Sequence, residues 1–276
     1  MLATRPSNPV LVTSPSNPAI KFIRKLAARK ERERSGLFFA DGVRVTLTAL
    51  ETGARVQALV LAADLAGERA RAAARRAAAR GLRVIEVSER VYRSLVPDDE
   101  PSGLGALVAA RPRPIAAANP TAGLCWIALD GVQYPGNLGT ILRTGDAVGA
   151  AGVILLGSAT DPHHPAAVRA SMGAVFTQAV LRATHGEFLA WAARSGVHLV
   201  GASGEGATTY RAAALSRPLA LVLGSERDGL APALKAACRE LVSLPMLGRA
   251  DSLNLSVAAG VLLYEVLARR NPPGPG

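Results

Sequence analysis

Between residues 17 and 36, apolar residues recur every three or four positions, with Ala19, Phe22, Ile23, Leu26 and Ala27 falling on one side of a predicted helix. Asn17 is placed to cap that helix, Pro18 suits its first position, and Gly36 suits its end. Short apolar runs between turn residues then predict strands at 37–40, 56–61, 82–87 and 104–109. Helices are predicted at 43–51 and 64–80, with a short third one capped by Ser88. Residues 1–15, rich in Pro, Ser and Asn, read as a loose tail. Residues 16–110 thus form one small α/β domain. The prolines at 112, 114 and 120 mark 111–123 as a linker.

From residue 124 the alternation resumes and is more regular. Strands are predicted at 126–129, 153–156, 178–181, 197–202, 219–223 and 241–244. Helices fall at 138–148, 165–172, 187–194, 231–237 and 253–269. Strands alternating with helices predict a second α/β domain, 124–276, with a parallel sheet covered on both faces.

Composition changes this picture in one respect. The 276 residues are 49% hydrophobic and 19% charged, as in globular proteins, but the formal net charge is +11. Residues 1–120 carry 20 Lys+Arg against 11 Asp+Glu, and residues 121–276 carry 12 against 10, so the excess belongs to the N-terminal part. A polyanionic partner is expected there. The first helix concentrates it: Lys21, Arg24, Lys25, Arg29, Lys30, Arg32 and Arg34 face only Glu31 and Glu33, a composition suited to a phosphate backbone. No apolar stretch follows a charged N-terminus and no run of about 18 apolar residues occurs, so a cytoplasmic protein without a membrane span is expected. Cys125 and Cys238 have no metal or disulfide spacing and read as buried free thiols. His163 and His164 have no companion cluster, so no metal is expected and they read as a surface pair.

Ligands of parallel sheets bind beyond the carboxyl ends of the strands. Three such ends are unusual. Residues 129–144 form a turn shaped by Gly131, Pro135 and Gly136, after which Asn137 opens a helix that carries Arg143 about two turns on. Residues 223–230 bracket Glu226 between glycines. Residues 244–256 form a polar loop running straight into the last helix. Neither the G-x-G-x-x-G nor the G-x-x-x-x-G-K-[ST] fingerprint occurs after a strand, and residues 201–204 do not make a hydrolase elbow.

In order and spacing, these loops resemble the three signature motifs of the SpoU/TrmH branch of the SPOUT RNA methyltransferases. The motifs fall on Asn137 with Arg143, on Gly224, Ser225 and Glu226 with Gly229, and on Pro245 through Ser252, Leu253, Asn254 and Ser256. Ser16, Asn17, Pro18, Lys21, Leu26 and residues 38–42 resemble the family's substrate-binding domain. The resemblance implies a ribosomal-protein-like RNA-binding domain ahead of a parallel α/β sheet whose C-terminal segment is threaded as a deep trefoil knot. It implies bent S-adenosylmethionine (SAM) held by Gly224, Leu244 and Leu253, with Ala202, Leu223, Met246 and Asn254 beside it. It also implies a homodimer with the active site at the interface. The implied reaction is methyl transfer to a ribose 2′-hydroxyl of RNA. Ribosomal RNA is favoured over transfer RNA by the separate N-terminal domain, and ribosome maturation and antibiotic protection both fit. A non-catalytic RNA-binding or ribosome-assembly protein of the same fold is the alternative.

Roles follow from chemistry. Arg143 suits the adjacent phosphate and the developing alkoxide, because a guanidinium stays protonated and donates in a fixed fork. Asn137 fixes the turn, Glu226 and Ser252 orient Arg143 or the ribose, and Asn254 links the cofactor loop to the final helix; both asparagines also suit simple helix caps. Val257, Val261, Leu262 and Tyr264 suit either a subunit contact or a core. The second motif departs from the family by reading Gly-Ser-Glu-Arg-Asp-Gly where many members have Gly-Asn-Glu, which clouds RNA specificity.

Overall fold

The computed structural model describes residues 11–96, 100–110 and 113–270. The first elements are α1 (Pro18–Lys25), α2 (Arg29–Ser35), β1 (Leu37–Asp41), α3 (Val43–Glu51), β2 (Val56–Leu61), α4 (Glu68–Ala79), β3 (Val84–Glu86), α5 (Glu89–Arg93) and β4 (Leu104–Ala109). Then come β5 (Trp126–Asp130), α6 (Pro135–Ala147), β6 (Gly152–Leu156), α7 (Pro165–Ala170), α8 (Ala174–Thr177), β7 (Ala179–Ala183) and α9 (His185–Arg194). The chain closes with β8 (His198–Ala202), β9 (Thr208–Thr209), β10 (Leu219–Leu223), α10 (Pro232–Ala237), β11 (Glu240–Ser243) and α11 (Leu255–Arg270). Two compact units result. One holds the described residues to 110 together with 163–176, and the other holds 113–162 and 177–270.

In the first unit a four-stranded sheet runs β1-β4-β2-β3, with β4 antiparallel to both neighbours. Ile20, Ile23, Val91 and Tyr92, from α1 and α5, pack in one cluster. Val45, Ala70, Ala74 and Ala77, from α3 and α4, pack with β1, β2 and β4 in another. The α4 alanines suit this role, since small side chains let the helix lie close to the sheet. The segment 163–176 joins the same cluster through Val168. The His163 ring stacks on Phe38 with centroids 4.3 Å apart, and His164 Nδ1 accepts the Ala166 N–H at the start of α7.

The helix predicted across 17–36 is two helices. Leu26 is buried, and α1 ends there. Arg32 explains how the break is tolerated. Its side chain is 4% exposed, and Nη1 donates to the Leu26 and Ala27 carbonyls at 2.7 and 2.8 Å, groups that a continuous helix would have satisfied internally. Part of the expected tail is also ordered, since the Val12 N–H donates to the Glu86 carbonyl at 2.9 Å; residues 1–10 lie outside the described residues.

The second unit is built on a seven-stranded, all-parallel sheet of order β7-β6-β5-β10-β8-β11-β9. Trp126, Ile154, Leu181, Phe188, Trp191 and Val222 anchor its main core. Of the expected linker, residues 113–123 pack onto this unit: Ile115 and Ala118 enter the core, and the Asn119 carbonyl accepts the Trp126 indole N–H at 2.8 Å. Strand β9 was not predicted, because two residues give no period to read. Cys125 and Cys238 are free thiols, Cys125 buried and Cys238 partly so; burial pushes them up to about 12 and about 11. Among the described residues no helix is long and apolar enough to cross a membrane.

Candidate active site

Strand register places the site. Leu129 of β5 pairs with Leu223 of β10, Leu223 with Ala202 of β8, and Ala202 with Val242 of β11. Four adjacent parallel strands therefore end level with one another. The chain runs outward from β5 to β6 and β7 on one side, and β10, β8 and β11 lie on the other, so the strand order reverses here. Such a switch point is where open parallel sheets bind ligands.

A cavity of about 810 Å³ opens at these ends. All seven residues expected around a cofactor line it: Ala202, Leu223, Gly224, Leu244, Met246, Leu253 and Asn254. So do Asn137, Glu226 and Ser252. The aliphatic side chains and Met246 give an apolar wall, and Glu226, Asp251 and Lys235 supply its charges. Lys235 is held by Glu205 at 2.8 Å, and the Lys235 ammonium, by its hydrogen bond and its charge, lowers the Glu205 pKa.

The 224–229 loop closes on itself. Ser225 and Gly229 exchange two backbone hydrogen bonds at 3.1 Å, and the Ser225 hydroxyl accepts the Asp228 N–H. A Cβ on Gly224 would collide with the backbone of Gly229 and Leu230, so the close approach that requires glycine is made by the loop's own returning limb.

Polar side chains tie the three motifs together. Asn137 Nδ2 donates to Glu226 Oε1 at 2.5 Å, and Asn254 Nδ2 donates to Asn137 Oδ1 at 3.1 Å. Asn254 Oδ1 accepts the Ser256 N–H at 2.9 Å and its hydroxyl at 2.6 Å. Asn254 thus secures the start of α11, whereas Asn137 lies inside α6, whose cap is Tyr134. Glu226 engages Asn137 and Ser252 donates to Asp251 at 3.3 Å, so neither orients Arg143 within the chain. Arg143 stands apart. It is exposed, does not line the cavity, and has no hydrogen-bond or ionic partner among the described residues.

Sequence reasoning passed over Asp130. This residue ends β5 and is 7% exposed; its carboxylate meets His185 Nε2 at 2.7 Å and accepts the Ala231 N–H at 2.8 Å. It therefore pins the far end of the 224–231 segment to the strand that precedes α6. Its signal was its position, a carboxylate directly after an apolar run. The last helix is resolved as well: Leu262 is buried, whereas Val257 and Tyr264 are 50% and 54% exposed.

The cations singled out on α1 and α2 belong to the first unit and divide in three. Lys21, Lys25 and Lys30 are exposed and unpaired among the described residues. Arg29 is exposed beside Glu33 at 2.7 Å, and Arg24 donates to the Ser94 hydroxyl at 2.8 Å. Arg32 is a correction: buried as a staple between the two helices, it does not face a ligand.

Known proteins match this arrangement. Residues 125–264 match the SpoU rRNA Methylase family, and residues 17–106 match the MRM3-like substrate binding domain. A crystal structure of an AdoMet-bound rRNA methyltransferase from Sinorhizobium meliloti superimposes with a TM-score of 0.87 at 37% identity, covering 96% of this chain and 99% of that one. A tRNA/rRNA methyltransferase of Mycobacterium avium, itself uncharacterized, is 34% identical over 96% of this chain and 85% of its own length. YacO of Bacillus subtilis, a TrmH family protein, is 39% identical over 150 residues, 54% of this chain. That stretch spans 60% of the Bacillus protein's length. The chain belongs to the SpoU/TrmH family of SPOUT methyltransferases.

Proposed function

We propose that this protein is a SAM-dependent RNA 2′-O-ribose methyltransferase acting on ribosomal RNA. The carrying observation is the convergence of three separate motifs on one cavity at a strand-order reversal. The residues fit the cofactor. Leu223, Leu244, Met246 and Leu253 offer an apolar slot for adenine, and Glu226 and Asp251 outnumber Lys235, which suits a positively charged sulfonium. Bound there, SAM supplies an electrophilic methyl group. Relatives from Streptomyces viridochromogenes and Haemophilus influenzae, named as 23S rRNA 2′-O-methyltransferases and 37% and 38% identical over 52% of this chain, support the choice of RNA.

In this reading, residues 16–110 hold the RNA, with Lys21, Lys25, Arg29 and Lys30 on phosphates, and residues 124–276 form the catalytic domain. The 244–254 segment is threaded through the preceding loop as a trefoil knot, an exception to the ordinary rules of chain connection. The chain works as a homodimer. Val257 and Tyr264 form an exposed apolar stripe on α11, and Arg143, unpaired and outside its own cavity, serves the cavity of a second copy. There its guanidinium holds the adjacent phosphate and stabilises negative charge developing on the ribose oxygen. Asn137, Glu226 and Asn254 keep the cavity's mouth in register with α6, and Ser252 faces the ribose.

Calorimetry with SAM tests the cavity. Binding at one SAM per chain is expected, weakened at least about tenfold in a Gly224→Ala protein whose circular dichroism is unchanged. An absence of heat at millimolar SAM would favour an RNA-binding protein without catalysis.

A further inference from the structure

Tyr134 lines the mouth of the strand-end cavity with its side chain 62% exposed. Its side chain has no ring or hydrogen-bond partner among the described residues. Phe38, Tyr92, Trp126, Phe188 and Trp191 are buried, and of the two tyrosines more than half exposed among the described residues, Tyr134 and Tyr264, only Tyr134 lines this cavity. The backbone that carries the ring is restricted. Pro135 confines Tyr134 to extended backbone (φ −86°, ψ 116°), and the Tyr134 carbonyl accepts the Leu138 N–H as α6 begins. With its backbone already restricted, this residue has only side-chain rotamer freedom left to lose when something packs against the ring.

The surroundings select what packs there. Glu226 and Asp251, against the single cation Lys235, line the same cavity and disfavour a phosphate inside it, so a nucleotide entering here presents its sugar and base and leaves its phosphate at the rim. At about 810 Å³ the cavity is towards the upper end of small-molecule sites, roughly 300–1,000 Å³, leaving room beyond the cofactor.

We infer that Tyr134 is the stacking platform for the base of the nucleotide whose ribose is methylated, so that this base is unpaired and turned out of its helix when the sugar reaches the site. The inference rests on the methyltransferase reading above.

The test uses full-length wild type, Tyr134→Phe and Tyr134→Leu, with tritiated SAM and deproteinised bacterial ribosomal RNA. Single-turnover transfer is measured together with SAM affinity and sedimentation. Tyr134→Leu should lose roughly 10- to 100-fold in kcat/KM for RNA, the range that base–aromatic stacking supplies. Tyr134→Phe should lose at least about fivefold less than Tyr134→Leu. SAM affinity and oligomeric state should match wild type in both variants. Full-rate transfer by Tyr134→Leu overturns the stacking role, as does a parallel loss of SAM affinity or dissociation of the oligomer. Wild type that binds SAM but labels no RNA overturns the underlying reading, and this proposal with it.

Discussion

Asn254 illustrates how one side chain can serve fold and site together. Its carbonyl oxygen satisfies the first turn of α11, and its amide donates to Asn137, which in turn donates to Glu226. Asn254→Ala should therefore cost about 1 kcal/mol in chemical denaturation, the usual worth of a cap. It should also lower methyl transfer further than that stability loss explains, because Asn137 loses an anchor. Ser256→Ala, which removes one bond to the same oxygen but leaves Asn137 held, should cost less activity; equal losses would refute the linkage. Tyr92 is a contrasting residue with a structural role alone. Its hydroxyl donates to Asp41 at 2.6 Å, and burial, with Asp41's charge second, raises its pKa above the ordinary value. The unfolded chain loses this proton near pH 10 while the folded chain keeps it. The stabilisation is complete below about pH 10 and shrinks as pH rises beyond it. Tm measured from pH 8 to 11 should fall less steeply above pH 10 in Tyr92→Phe than in wild type.

Among the elements, the α1–α2 pair separates cations that look alike in sequence. Arg32→Met strands the Leu26 and Ala27 carbonyls and should cost about 1–3 kcal/mol. Replacing Lys21, Lys25 and Lys30 by alanine should leave Tm unchanged. In a filter-binding series, it should reduce the slope of log affinity against log salt by about two, near 0.7 per lost contact to single-stranded RNA. If the lysine variant instead unfolds and Arg32→Met binds RNA more weakly at full stability, the division fails. The sequence alone could not have separated them. Periodicity marks a helix but not a break sealed by a side chain six residues on, and Arg32 lies in a charge run whose composition says solvent. The linker misled for a similar reason: prolines at 112, 114 and 120 oppose a long helix or a central strand but do not forbid packing, and Ile115 and Ala118, in and beside a single 3₁₀ turn, are buried.

For the whole molecule, the alternation of strands and helices was enough to predict the parallel sheet, and the three loops were legible because glycines and polar residues stand where apolar runs stop. Their meeting point was not legible from periodicity. It depends on β10 and β8 lying between β5 and β11, which only long-range pairing decides. Arg143 is the clearest case. Sequence placed it beside Glu226 and Ser252, whereas in the chain it is exposed and outside the cavity. The proposed homodimer would bring it to the cavity of a second copy. The most direct test follows the methyl group from labelled SAM into ribosomal RNA, for wild type and for Arg143→Ala at matched SAM saturation. The account predicts label on a ribose 2′-oxygen, seen as a linkage resistant to alkali, and a loss of at least about 100-fold in Arg143→Ala with SAM affinity retained. Label on a base, or transfer at full speed by Arg143→Ala, would contradict it.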